Sequence, residues 1–297
     1  MLSRTVSRMQ LAALASLIRL PLSLMVAVTA LTGALVTAEP IAGLTLWALG
    51  WGVFLLAAAS SVLNQVQERT NDALMRRTCR RPIASGLLSP GTGTAIGLLL
   101  ASGGLVTLLA ATGSAPALLG LVALAWYLAV YTPLKRLTPL AVLAGTPCGA
   151  VPPLMGWLAA GGSLPAPQPL ALALLMLLWQ VPHYWLLALP HRDELRTAGF
   201  RVLPDLTDRQ LLAVGRRWML GLALATLLLP ALGLPASPLL QGGVAGLAVA
   251  LAFATVWLYH RAVFVRDAAR RLRRLLHLYL AMILLALLAA PLLPSIF

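Results

Sequence analysis

Acidic side chains are scarce here: eight Asp and Glu stand against 22 Lys and Arg in 297 residues, and there is a single lysine. Charged residues of both signs make up only 10%, where a soluble domain carries roughly 25%. So few charges exclude a water-soluble globule. The 60% hydrophobic content excludes disorder, which needs low hydrophobicity. Cysteine is sparse too. Cys79 and Cys148 form neither a CxxC pair nor a disulfide framework, and both read as ordinary small residues. A polytopic membrane protein remains, with about 20 apolar residues in each span.

Long apolar runs, by contrast, abound. Nine fall at 17–38, 41–63, 91–112, 116–133, 139–160, 167–189, 215–235, 238–259 and 275–296. Backbone groups in lipid must be satisfied within their own segment, so each run reads as a helix. The expected fold is all-α, a bundle of nine transmembrane helices in one domain over residues 1–297. The first run lacks a cleavage site followed by a soluble domain, so it reads as the first span. The connections alternate in character. Those near 39–40, 113–116, 161–166 and 233–238 are short and uncharged apart from Glu39, whereas the other loops and the N-terminus hold every basic residue. The positive-inside rule then puts the N-terminus in the cytoplasm and the C-terminus outside. It also accounts for the net charge of +14 without nucleic acid, so the expected partner of the basic residues is the lipid bilayer.

Seven of the eight acids share the cytoplasmic side, six of them in the loops 64–90 and 190–214. Function is expected at that face. Pro147, Pro152, Pro153 and Pro182 lie inside apolar runs. They mark either kinks beside a cavity or simple packing irregularity.

Asn64, Glu68 and Asp72 are spaced i, i+4, i+8. On a helix they drift only about 80° while rising about 12 Å. One stripe thus carries two carboxylates and an amide oxygen, hard ligands suited to Mg²⁺ together with substrate phosphates. Arg77 and Arg81 follow and suit bidentate phosphate contact. The competing reading is a solvated helix end with ordinary ion pairs. A second pair, Asp193 and Glu194, follows the sixth run. It reads either as a second metal site sharing one diphosphate or as a surface pair. His183 sits in an apolar run beside Pro182. An ionisable group there is a functional candidate, a structural hydrogen-bonding residue, or an imidazole for haem iron. His260 and His277 read as interfacial. Lys135 and Arg136 serve as positive-inside anchors or as diphosphate contacts. Tyr131, Trp157, Trp179, Tyr184 and Trp185 either face an allylic cation or form an interfacial belt.

Several of these segments, in order, resemble one family. Asn64-Gln-x-x-Glu68-x-x-x-Asp72, Arg77-Thr-x-x-Arg81-Pro82, Tyr131-Thr-Pro-Leu-Lys135-Arg136 and Gly149-Ala-Val-Pro152-Pro153-Leu-Met-Gly156-Trp157 are similar to signatures of the UbiA-type intramembrane prenyltransferases. Trp179-Gln-x-Pro182-His183-Tyr184 is similar to the segment that separates the haem O synthase (protoheme IX farnesyltransferase) branch from quinone and chlorophyll prenyltransferases. Three positions depart from the pattern: Thr70-Asn71 after Glu68-Arg69, Glu194-Leu195 for Asp-Tyr, and Arg201-Val-Leu-Pro204 for Pro-Met-Leu-Pro.

The resemblance implies a cavity open to the cytoplasmic face of a bacterial inner membrane, with farnesyl diphosphate and haem B as substrates and haem O as product. Mg²⁺ would rest on Asn64, Glu68, Asp72, Asp193 and Glu194. Arg77, Arg81, Lys135 and Arg136 would hold the diphosphate, His183 would face the haem, and Tyr131, Trp157 and Tyr184 would wall the pocket. Haem A synthase or terminal-oxidase assembly factors would be partners downstream. Three other readings compete: a related enzyme with another acceptor, a transporter, and a non-catalytic haem-handling protein. A transporter would carry broken helices and polar residues at the midplane, whereas the acids here lie at one membrane edge.

Overall fold

The apolar runs fold as helices that continue beyond bilayer length into the charged segments. A computed structural model describes residues 11–37, 40–261 and 264–290. Arg4, Arg8, Glu39 and the end of the last expected span lie outside the described residues. Helices α1 (Leu11–Leu17) and α2 (Leu20–Leu35) meet at a 53° bend. They are followed by α3 (Gly43–Gln67), α4 (Arg69–Ala73), α5 (Pro90–Thr112), α6 (Ser114–Trp126), α7 (Thr132–Leu137) and α8 (Ala141–Ala159). The chain continues through α9 (Pro167–Ala188), α10 (Arg192–Thr197), α11 (Asp208–Thr226), α12 (Leu228–Ala231), α13 (Pro238–His260) and α14 (Val265–Ala289). Among the described residues no strand occurs. Eight helical segments are long and apolar enough to cross a membrane, nine when α1 and α2 count as one bent span.

The expected nine runs are therefore present, but their bounds differ at the charged face. The loops expected at 64–90 and 190–214 contain α4, α10 and the start of α11. Helix α14 begins at Val265, although its apolar run begins near 275. An apolar run measures the lipid thickness, whereas backbone hydrogen bonding continues wherever caps permit. The Thr207 and Gln210 capping box starts α11. Ser89 caps α5 by accepting from Thr92 N at 3.0 Å, with Pro90 in the first turn.

Two apolar clusters hold the bundle. One gathers α9, α11, α13 and α14 around Leu175, Leu222, Leu251 and Leu276. The other gathers α2, α3, α5, α6 and α8 around Ala30, Leu49, Leu108 and Met155. Helices α2 and α8 approach so closely that a Cβ on Gly33 would strike the Pro153 backbone, and one on Gly156 the Ala30 carbonyl. Outward-facing Leu44, Trp47, Leu99, Phe253 and Leu278 are exposed, as a lipid-facing surface requires. The prolines of α8 lie inside a continuous helix. Pro147 cannot donate to the Leu143 carbonyl, and the Thr146 hydroxyl takes its place at 2.9 Å.

Candidate active site

A cavity of about 350 Å³ opens between the two clusters, walled by α2, α3, α6, α8 and α9. Its composition changes from one end to the other. Arg19, Glu68, Asp72, Arg77, Arg81 and Lys135 line one end, and Leu22, Val26, Val53, Leu56, Val151 and Met155 line the other. Helix α3 and the residue that caps it border the cavity from Val53 to Glu68, a length of about 22 Å at 1.5 Å per residue.

The expected acidic stripe is present but buried, which removes the solvated-helix-end reading. Helix α3 ends at Gln67, yet the ladder continues, with Glu68 N donating to the Asn64 carbonyl and Asp72 N to the Glu68 carbonyl. The i, i+4, i+8 alignment therefore survives the joint with α4. Asn64, Glu68 and Asp72 are all buried. Arg81 donates to Asp72 Oδ2 at 2.7 Å. The Lys135 ammonium lies 2.5 Å from Glu68 Oε1, an oxygen that nonetheless accepts no aligned hydrogen bond. Asn64 accepts from Arg19 at 3.0 Å and donates to Thr132 Oγ1 at 3.2 Å. Burial and the neighbouring Arg19 cation push the Arg77 and Arg81 guanidinium groups down from their ordinary range, while Asp72 opposes the shift. An incoming polyanion would relieve this crowding of cations.

Arg19 belongs by charge to the basic N-terminal segment, yet it lines the site, a role not read from the sequence. It occupies the α1–α2 bend in a left-handed conformation (φ 45°, ψ 55°), strained by roughly 1–2 kcal/mol for a side chain of this kind. That geometry aims its guanidinium into the cavity. A charge inside an apolar run, two residues before Pro21, was the available signal.

Three tyrosines, Tyr127, Tyr131 and Tyr184, also line the cavity. Thr132 N and Oγ1 both reach back to the Tyr127 carbonyl, forming a π-helical turn over Tyr127–Tyr131. Such turns recur at functional sites. Tyr127 and Tyr131 pack at 5.4 Å between ring centroids, and Tyr131 and Tyr184 at 6.2 Å. Gly145 leaves room for this ring, since a Cβ there would lie 2.6 Å from Tyr131 Cε2. His183 also borders the cavity. It stacks on Trp179 at 4.6 Å, and its Nδ1 lies 3.0 Å from His277 Nε2. His277, expected at the membrane interface, also takes part in the cavity wall through that pairing.

Five expected site residues do not line the cavity. Asn64 is fully buried against Arg19 and Thr132. Asp193 is exposed and pairs with Arg266 at 3.4 Å. Glu194 lies 3.8 Å from His191. Helix α10 turns Leu195 to the cavity, so the two residues before it point elsewhere at about 100° per residue. Among the described residues no cluster of three or more His, Cys, Asp or Glu is poised for a metal, although Glu194 acts on the Arg77 guanidinium together with Glu68 and Asp72. Arg136 donates to the Gln67 carbonyl at 3.0 Å and braces the end of α3. Trp157 donates to the Ser163 carbonyl at 3.0 Å and closes the turn after α8.

The profile of the UbiA prenyltransferase family matches residues 26–285. The chain belongs to that family. It is 49% identical over 197 residues to the protoheme IX farnesyltransferase of Geobacter sulfurreducens, covering 65% of this chain and 71% of that one. It is 40% identical over 239 residues to the protein of the same name from Nitratidesulfovibrio vulgaris, covering 79% and 80%. The UbiA fold is shared with a structure of digeranylgeranylglyceryl phosphate synthase (TM-score 0.75, 17% identity, 95% of this chain and 99% of that one). It is also shared with a UbiA homolog from Archaeoglobus fulgidus bound to GPP and Mg²⁺ (TM-score 0.66, 15% identity, 93% and 99%).

Proposed function

We propose that this UbiA-family protein transfers the farnesyl group of farnesyl diphosphate to a vinyl group of haem B, giving haem O and diphosphate. The carrying observation is a cavity with a charged head and an apolar tail, in a chain 49% identical to a protoheme IX farnesyltransferase. A prenyl diphosphate has the same division. Its diphosphate fits among Arg19, Arg77, Arg81 and Lys135, and its chain lies along Leu22, Val53, Leu56 and Met155.

Buried hard oxygens at one head, those of Glu68 and Asp72 facing the Lys135 and Arg81 cations, fit a divalent cation. Mg²⁺ held by Glu68 and Asp72, with Asn64 behind them holding Arg19, would neutralise the charge that builds on the leaving diphosphate. Lys135 and Arg81 now pair with those carboxylates, and each can turn to the diphosphate when it arrives. The C1–oxygen bond of farnesyl diphosphate breaks with its electron pair leaving on the diphosphate. The vinyl π pair forms the new carbon–carbon bond to C1. Water then adds its oxygen to the inner vinyl carbon and loses a proton. Tyr127, Tyr131 and Tyr184 present ring faces to the cationic carbon, and the apolar tail keeps water from it until the bond has formed. His183, held by Trp179 and His277, marks the acceptor side.

We read the whole chain as one catalytic membrane domain of a bacterial inner membrane. The positive-inside distribution supports a cytoplasmic N-terminus and a cavity opening to the cytoplasm. Release of diphosphate from farnesyl diphosphate and Mg²⁺ tests the acceptor. Haem B should support it, whereas 4-hydroxybenzoate and a chlorophyllide should not. Turnover with either of those and none with haem B would overturn the reading.

A further inference from the structure

A second pocket, of about 410 Å³, adjoins the first and shares with it the wall formed by Leu195, Phe200 and Val202. Its other side carries Arg192, Arg196 and Arg201, opposed within the pocket by Asp205 alone. That acid is fully exposed and meets Arg196 only at 3.4 Å. Arg192 spends Nη1 on Asp208 at 2.9 Å, while its buried Nε and Nη2 have no hydrogen-bond partner. The Arg201 side chain has no ion pair among the described residues, and it is exposed.

This basic pocket is fastened to the reacting end of the cavity. Arg201 N donates to the Lys135 carbonyl at 2.8 Å, and the Lys135 ammonium lies 5.9 Å from the Phe200 ring centroid as well as against Glu68. Asn71, one residue before Asp72, donates to the Ala198 carbonyl at 2.6 Å. The segment 198–201 is therefore tied to both the acidic stripe and the lysine of the diphosphate head.

We propose that Arg192, Arg196 and Arg201 form a carboxylate-binding subsite that takes the two propionates of the haem acceptor. The proposal rests on the haem-acceptor reading above. Haem B carries both propionates on one edge and its vinyl groups toward the other. With the propionates on the arginines, the apolar macrocycle lies over Leu195, Phe200 and Val202, and a vinyl edge points to the cavity head. Guanidinium forks match carboxylates bidentately, and the partnerless Arg192 nitrogens gain the acceptors they lack. An anionic lipid phosphate offers similar chemistry, and the test separates it from the propionate.

Haem B and its dimethyl ester are titrated by Soret absorbance into the detergent-solubilised full chain and into Arg196→Gln/Arg201→Gln. Both substituted side chains are exposed, so the fold is retained, and Mg²⁺-dependent farnesyl diphosphate binding should match the wild type. The wild type is expected to prefer haem B over the ester by about tenfold or more, with the variant losing that preference by weakening haem B alone. Equal binding of acid and ester by the wild type, or a preference unchanged in the variant, would overturn the subsite and point to a lipid phosphate. Binding of farnesyl diphosphate but of neither porphyrin would overturn the haem-acceptor reading, and the subsite with it.

Discussion

Glu68→Gln separates what the buried acid does for the fold from what it does for the reaction. Glu68 and Lys135 approach to 2.5 Å with side chains only 5% and 12% exposed. Removing one partner of a buried pair leaves the other charge uncompensated, at a cost of about 3–5 kcal/mol. The open cavity admits some water to Lys135, so the lower end applies, about 3 kcal/mol. For a chain of this size that is roughly a 6 °C fall in melting temperature. Removing both charges in Glu68→Met/Lys135→Met should restore stability to within about 1 kcal/mol, because an apolar pair of similar volume replaces a buried ion pair at little net cost. Turnover should not return. Losing an electrostatic contact to the leaving group lowers the rate about 10²–10³-fold, and the double variant lacks two such contacts. Thiol-reactive dye melting and haem product analysis measure the two quantities on the same preparations. A single variant that melts with the wild type would refute the buried-pair argument. A double variant with near-normal turnover would refute the placement of Glu68 in the diphosphate site.

Arg19→Gln should weaken Mg²⁺-dependent farnesyl diphosphate binding about 10- to 100-fold by calorimetry, since it removes a cavity cation and the donor to Asn64. Unchanged binding would return Arg19 to a topological role. Gly145→Ala places a methyl 2.6 Å from the Tyr131 ring. It should raise KM for farnesyl diphosphate and cost about 1–3 kcal/mol of stability, and an unaltered KM would show that the ring yields without narrowing the cavity. Trp157→Phe should cost about 1 kcal/mol through its lost bond to Ser163 with turnover intact. A tenfold loss of turnover would place Trp157 back at the pocket.

The spans were legible because lipid requires long apolar helices, and the acidic stripe because i, i+4, i+8 spacing holds through any continuous hydrogen-bond ladder. Helix ends at the charged face were not legible. There hydropathy stops while backbone bonding goes on, so α4, α10 and the first turns of α14 lay within apparent loops. Glu194 shows the limit of motif order: Leu195, next to it, lines the cavity, and a one-residue offset on a short helix turns the side chain by about 100°. The His183–His277 pair joins residues 94 apart, a contact that neither periodicity nor local spacing encodes. The role of Arg19 was not legible because sorting charges by membrane side fixes its depth, whereas the α1–α2 bend sets where it points.

The most direct test of the account is the mass of the haem after incubation with farnesyl diphosphate and Mg²⁺, using the purified protein, the same sample with EDTA, and Asp72→Ala. The account predicts a haem that has gained a farnesyl group and a hydroxyl in the first sample and unchanged haem B in the other two. Unchanged haem in all three, with farnesyl diphosphate and haem B both bound, would contradict it.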